Sequence, residues 1–211
     1  MISLVSPEME GYCVENTTPV PDYVANLARI TEQKMPMPEM LSGPIEASLL
    51  QLLVWILRAR RVLEIGTFTG YSALMIAEAL PEDGVLITCE IDPDSASLAR
   101  KYFKRSPHGR KIELRLGPAL ETVQTLDAGF DLIFIDAEKT EYPDYYEASL
   151  AILSPTGILA IDNALWGGRV LEPASDSDHA ISGLNERIRQ DNRVRQVLLP
   201  LRDGLMLVRR V

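Results

Sequence analysis

From residue 61 onward, short apolar runs alternate with amphipathic segments of helical length. RVLEIG (61–66), VLITCEI (85–91), KIELRLG (111–117), FDLIFIDA (130–137) and GILAIDN (157–163) read as strands bounded by turn residues. Between them, SALMIAEAL (72–80), DSASLARKYFKRS (94–106), ALETVQTL (119–126) and YPDYYEASLAIL (142–153) read as helices. Pro81 with Gly84, Pro107 with Gly109, and Pro155 with Gly157 stop the first, second and fourth of these. A helix over 178–191 follows the polar EPASDSD loop, and VRQVLLPL (194–201) and GLMLVRRV (204–211) read as two further strands.

Five βα units in succession predict a parallel sheet covered by helices on both faces. The near-continuous apolar character of the strands agrees, since both sides are then buried. Arg202-Asp203-Gly204 between the last two strands is too short for a parallel crossover, so one of the two must run antiparallel. The expected fold class is α/β: a Rossmann-like, doubly wound, mostly parallel seven-stranded sheet with one antiparallel strand near the C-terminus, plus N-terminal helices. The reversed strand is unlike a standard dinucleotide-binding domain and is what a class I methyltransferase shows.

The first 60 residues have a different texture. Residues 22–33 suggest a helix, with Asp22 as a cap after Pro21. Residues 35–44, with three prolines and a glycine, read as a loop. Residues 45–59 (IEASLLQLLVWILRA) read as an apolar helix that must pack against something large. The expected organisation is one structural domain of 211 residues, with a helical extension (1–60) packed on a cofactor-binding core (61–211).

A formal net charge of −9 disfavours nucleic acid or an anionic membrane as partner, because both demand a basic footprint. Cys13 and Cys89 make no disulfide framework and read as unpaired thiols of a reducing compartment. MISLVSPEMEGY is interrupted by Pro7, Glu8 and Glu10, unlike a signal peptide, and the apolar run 49–57 contains Gln51 and is too short to span a bilayer. A cytoplasmic location with no membrane partner is expected.

Chemistry in doubly wound sheets gathers at the carboxyl ends of the strands. The first such end reads Glu64-Ile65-Gly66-Thr67-Phe68-Thr69-Gly70. Its Gly-x-x-x-Gly spacing lacks the central glycine that a pyrophosphate needs; Thr67 and Phe68 fill that space. S-adenosylmethionine carries no phosphate and tolerates the filling. Glu64 would put a carboxylate near the ligand's positive end, or it is a strand-end charge that caps a loop. Glu90, about 20 residues beyond the turn, suits a ribose diol, whereas Asp92 suits the N-cap of the next helix. Gly117-Pro118-Ala119 would let an adenine ring lie against the backbone, or is simply a turn.

The fourth strand ends in Asp136 and the fifth in Asp162-Asn163. If these strands are neighbours, two carboxylates and an amide oxygen converge, a hard-donor set that suits Mg²⁺. His108 and His179 lack a partner motif and read as surface residues. Lys139, three residues after Asp136, could take a proton from a metal-bound hydroxyl, or is a solvated lysine beside Glu138.

LEIGTFTGYSALMIAEAL, then Glu90-Ile91-Asp92, then FIDAEKTEYPDYYE, then IDNALWGGRV together resemble the cation-dependent O-methyltransferases, the family of catechol and caffeoyl-CoA O-methyltransferases with its bacterial members. The resemblance covers most of residues 40–211. It implies that Asp136, Asp162 and Asn163 bind a divalent cation (Mg²⁺ first, Mn²⁺ or Ca²⁺ as alternatives) and that Lys139 acts as general base. It also implies that Met40, Glu64, Gly66, Ser72, Glu90, Gly117, Pro118, Ala119 and Asp136 contact S-adenosylmethionine. The acceptor is expected to be a phenolic or catechol-like small molecule, and the protein a homodimer. The chain departs from the family at Glu46-Ala47, where many members read Gln-Gly; this bears on the loop over the cofactor. Trp166 either walls the acceptor pocket or packs in core or interface. Three rival readings are a nicotinamide-dependent oxidoreductase, opposed by the filled glycine turn, a non-catalytic S-adenosylmethionine-binding module, opposed by the intact acidic set, and methylation of RNA or protein, which the net charge opposes for RNA.

Overall fold

In the computed structural model, which describes residues 5–211, seven strands form one sheet in the order β3-β2-β1-β4-β5-β7-β6. The strands are β1 (Arg61–Ile65), β2 (Val85–Glu90), β3 (Ile112–Leu116), β4 (Phe130–Ile135), β5 (Leu153–Ile161), β6 (Val194–Leu199) and β7 (Leu205–Arg210). β7 runs antiparallel to both β5 and β6, and the β1–β2, β1–β4, β2–β3 and β4–β5 pairs are parallel. The short final connection therefore reverses one strand, as its length requires.

Side-chain alternation along the strands divides the core into two layers. Leu132 and Phe134 of β4 face one layer, with α2 (Asp22–Lys34), α3 (Pro44–Leu57), α4 (Tyr71–Ala79) and α5 (Pro93–Phe103). Ile133 and Ile135 face the other, with α6 (Ala119–Gln124), α7 (Tyr142–Ile152) and α8 (Asp176–Gln190). Central strands are thus buried on both sides; β3, at the edge, is largely exposed.

Several local expectations need correction. α2 is capped by Pro21, and Asp22 is its first residue, without a side-chain cap bond. α7 passes directly into β5 at Leu153, so Pro155 and Gly157 lie inside an irregular stretch of the strand, where the pairing register shifts, rather than in a loop. A first helix, α1 (Pro7–Glu15), is not legible as an apolar stripe because it buries none of its residues; Ser6 caps it, with Pro7 in its first turn. The N-terminal run read against a signal peptide begins with four residues outside those described.

The segment Pro38–Leu57 is long and apolar enough by composition to cross a membrane. It is not one continuous α-helix: a 3-10 turn at Pro38–Met40 precedes the 14-residue α3, whose Ala47, Leu50 and Val54 are buried in the core shared with α4. Cys13 and Cys89 are both free, the first exposed and the second buried. His179 is exposed, while His108 is half-buried, with Nδ1 3.4 Å from Lys111 Nζ.

Candidate active site

The strand order reverses between β1 and β4, and a cavity of about 1040 Å³ opens at their carboxyl ends. Crevices for ligands form at such switch points because the connections leave in opposite directions. Gly66 follows β1 with φ +103°, and a methyl group there would lie 1.8 Å from the carbonyl oxygen of Asp136, the residue after β4. The glycine therefore serves the close approach of two strand ends as well as the turn. Gly70, with φ +93°, admits the Phe103 ring in the same way.

Of the residues singled out from the sequence, Met40, Gly66, Ser72, Glu90, Gly117, Pro118, Ala119, Asp136, Lys139 and Asn163 all line this one cavity. Glu64 and Asp162 do not; both are buried behind its wall. The direct approach of Glu64 to a ligand is blocked, because Ser72 Oγ donates to it at 2.6 Å and Thr88 Oγ1 at 2.5 Å. Burial raises its pKa to about 8 despite both hydroxyls. Glu90 gathers three backbone amides, from Phe68 at 2.5 Å and from Ile91 and Asp92 at 2.9 Å, and still reaches the cavity. Asp92 caps α5 through the Ser95 amide at 2.8 Å, as its position predicts.

β4 and β5 are adjacent, and the Asp162 amide donates to the Ile135 carbonyl at 2.9 Å, so Asp136 and Asp162-Asn163 do meet at neighbouring strand ends. Asp162 is fully buried and its Oδ2 has no donor. Burial, then the neighbouring Glu46 and Asp136 charges, push its pKa well up. A buried carboxylate oxygen without a donor is costly unless something positive answers it. Among the described residues no group of three His, Cys, Asp or Glu side chains is placed to hold a metal; the set here is two carboxylates and one amide oxygen. Those are hard donors that a divalent cation fits.

Lys139 Nζ donates to Asp136 Oδ1 at 3.0 Å, to the Ala137 carbonyl at 2.9 Å and to the Tyr142 hydroxyl at 2.8 Å. It is therefore no solvated surface lysine. Burial disfavours its charge, but Tyr142 and Asp136 more than offset this, and its pKa is raised. A base role built on a lowered lysine pKa does not hold for the chain by itself. Trp166 lines the same cavity, with Lys139 Nζ 5.7 Å and the Arg169 guanidinium 4.3 Å from its ring. Its indole nitrogen donates to Asp178 at 2.8 Å, which also closes the capping box of α8.

Four participants escape sequence reasoning. Asp203 lines the cavity and accepts from the Gly167 amide and from Asn163 Nδ2. Arg202 binds Glu46 at 2.8 Å. Met35 and Met37 join Met40 on the wall formed by the segment before α3. The RDG turn signals only a hairpin in the sequence, and Glu46 stands out only as a departure from a resemblance.

The fold and the cavity together are those of an S-adenosylmethionine-dependent O-methyltransferase. A crystal structure of TomG from Streptomyces achromogenes, an O-methyltransferase of tomaymycin synthesis in complex with SAM, superposes with a TM-score of 0.89 at 27% identity, over 97% of this chain and 96% of that one. SAH-bound PaMTH1 of Podospora anserina superposes with a TM-score of 0.90 at 28% identity, over 100% and 99%. The O-methyltransferase family profile matches residues 14–211, and the chain belongs to that family. The mouse catechol O-methyltransferase domain-containing protein 1 is 42% identical over 186 residues, 85% of this chain and 71% of that protein. The probable caffeoyl-CoA O-methyltransferase 1 of Dictyostelium discoideum is 35% identical over 209 residues, 95% of this chain and 91% of that one. The nicotinamide and non-catalytic readings are set aside by this membership.

Proposed function

We propose that this enzyme is divalent-cation-dependent and methylates one hydroxyl of a catechol-like small molecule. The observation that carries the reading is the convergence of Asp136, Asn163 and Lys139 on the wall of the cavity that also holds the glycine turn and Glu90, with the donorless Asp162 Oδ2 behind it. Asp136, Asp162 and Asn163 would hold the cation, with Mg²⁺ or Mn²⁺ suited to the oxygen donors. When bound, it would supply Lewis acidity that lowers the pKa of an acceptor hydroxyl.

The rest is done by the chain's own residues. Glu90 takes the ribose, the Gly117-Pro118-Ala119 turn lies against the adenine, Ser72 backed by Glu64 receives the amino-acid end, and Met40 covers the ligand. Asp136 holds the proton on Lys139 Nζ across 3.0 Å. With the Asp136 charge committed to a cation that hold would weaken; Lys139 would then release its proton to solvent, and its neutral Nζ would accept the proton of the acceptor hydroxyl. The freed oxygen attacks the sulfonium methyl, the bond from that carbon to sulfur breaks, and S-adenosylhomocysteine leaves as a neutral thioether; positioning of the two partners supplies much of the rate. Trp166 offers the acceptor ring a flat wall. Relatives named for catechol and for caffeoyl-CoA support a phenolic acceptor.

A second copy of the chain is the proposed partner. α1 buries none of its residues, and Met9, Tyr12, Trp55 and Ile56 on α1 and α3 are exposed; light scattering on the purified chain tests this. The free thiols suit a reducing cytoplasm. The deciding experiment is methyl transfer from labelled S-adenosylmethionine to vicinal diols and monophenols, with Mg²⁺ and then with EDTA. Transfer to diols that EDTA abolishes is expected; equal transfer in EDTA removes the cation from the reaction.

A further inference from the structure

Arg202 ties the segment before α3 to the first turn of that helix. Its Nη2 donates to the Leu41 carbonyl at 3.2 Å, in the segment whose Met40, Leu41 and Ser42 line the cofactor side. Its Nη1 donates to Glu46 Oε2 at 2.8 Å, in the first turn of α3. A methyl group added at Gly43 would press on the Arg202 side chain at 3.3 Å, so the arginine is packed close against this segment. Glu46 is almost fully buried and its Oε1 has no donor; Asp162 is buried as well, and its Oδ2 has none either. The next residue, Asp203, holds Asn163 Nδ2 and the Gly167 amide. Arg202 itself sits at φ 48°, a left-handed conformation that a long side chain seldom adopts.

Resting on the cation-dependent reading above, we propose that Arg202 is a positioning residue that makes cofactor binding and cation binding cooperative. A ligand that orders the 35–43 segment fixes the Leu41 carbonyl, and through it the guanidinium. The guanidinium fixes Glu46, while the same turn sets Asp203 against Asn163, a residue of the proposed cation set. A cation held by Asp162 and Asn163 acts on the same contacts from the other end. Coupling of this kind must be reciprocal. The forked geometry of arginine is essential, because a lysine ammonium is a point charge that cannot span carbonyl and carboxylate as a rigid fork does.

The test uses Mn²⁺ and S-adenosylhomocysteine as probes on the full chain. Free Mn²⁺ is read by electron paramagnetic resonance with and without the nucleoside, and the nucleoside by calorimetry with and without Mn²⁺. The expected result for the unaltered chain is that each ligand tightens the other by the same factor, about tenfold. Arg202→Lys is expected to bring that factor to within about twofold of unity. Arg202→Met leaves Glu46 buried without its partner and can fail to fold, so Arg202→Met with Glu46→Gln is made beside it, with the same loss of coupling expected. Undiminished coupling in these variants, or independent binding of both ligands by the unaltered chain, overturns the proposal. No Mn²⁺ binding by the unaltered chain overturns the cation-dependent reading and the proposal with it, a result distinct from the other two.

Discussion

Ser72 Oγ donates to Glu64 Oε1 at 2.6 Å, and Ser72, not Glu64, faces the cavity. The carboxylate at the end of β1 is a fully buried support for a hydroxyl, with Thr88 on its other oxygen and Thr67 hydrogen-bonded to Thr88 in turn.

A pH dependence of stability follows from that burial. Glu64 has an ordinary pKa of 4.5 and a folded one of about 8, so between those values the folded chain keeps a proton that the unfolded chain releases. The stabilisation is fully present below pH 4.5 and is lost as pH rises through about 8. The loss is on the order of a few kcal/mol. Glu64→Gln should flatten it. Urea midpoints at about pH 5, 7 and 9 check this, and an unchanged slope in the variant would show that the proton sits elsewhere.

Gly66→Ala should be among the most damaging single substitutions. The new methyl would meet the Asp136 carbonyl, and the backbone is left-handed there. A loss of about 3 kcal/mol or more is expected, seen as a lower melting temperature, together with weakened S-adenosylhomocysteine binding. A variant as stable as the parent would mean that β1 and β4 can separate freely at this point.

Asp136→Asn and Asp162→Asn each keep shape and remove a charge. Both should lower metal-dependent turnover by about a thousandfold or more, through loss of charge stabilisation at the reacting centre. Asp162→Asn should not reduce folding stability, since it replaces a buried carboxylate whose Oδ2 has no donor. Activity assays with a Mg²⁺ titration, beside thermal melts, separate the two effects. Full turnover in either variant would exclude that residue from the cation site.

Lys139→Met should lower kcat by about 10²–10⁴-fold, the usual contribution of a positioned general base, with S-adenosylhomocysteine affinity little changed. Calorimetry and steady-state kinetics distinguish this from collapse of the Asp136–Lys139–Tyr142 cluster. If kcat is kept, the proton leaves by another route.

Asp178→Ala should act at a distance. It removes the acceptor of the Trp166 indole N–H and half of the α8 capping box. The acceptor KM should rise roughly fivefold, about the worth of one net hydrogen bond, with the cofactor KM unchanged. Equal changes in both would show that Trp166 does not discriminate between the two ends of the cavity.

The chain's local patterns determine much of this protein. Apolar runs between glycines and prolines specify the central strands, the short RDG connection forces one reversed strand, and four ordered motifs carry the family. These are legible because strand burial, turn chemistry and loop length act over a few residues. Tertiary structure alone decided which distant groups surround the acidic set. Glu46 and Arg202 are 156 residues apart, and Lys139 owes its raised pKa to the Asp136 and Tyr142 side chains packed around it. Glu64, at a strand end, is buried behind Ser72 and Thr88, which both donate to it, and no local pattern carries that packing. A sequence carries residue type and spacing, whereas desolvation and charge coupling depend on what distant segments bring within a few ångströms.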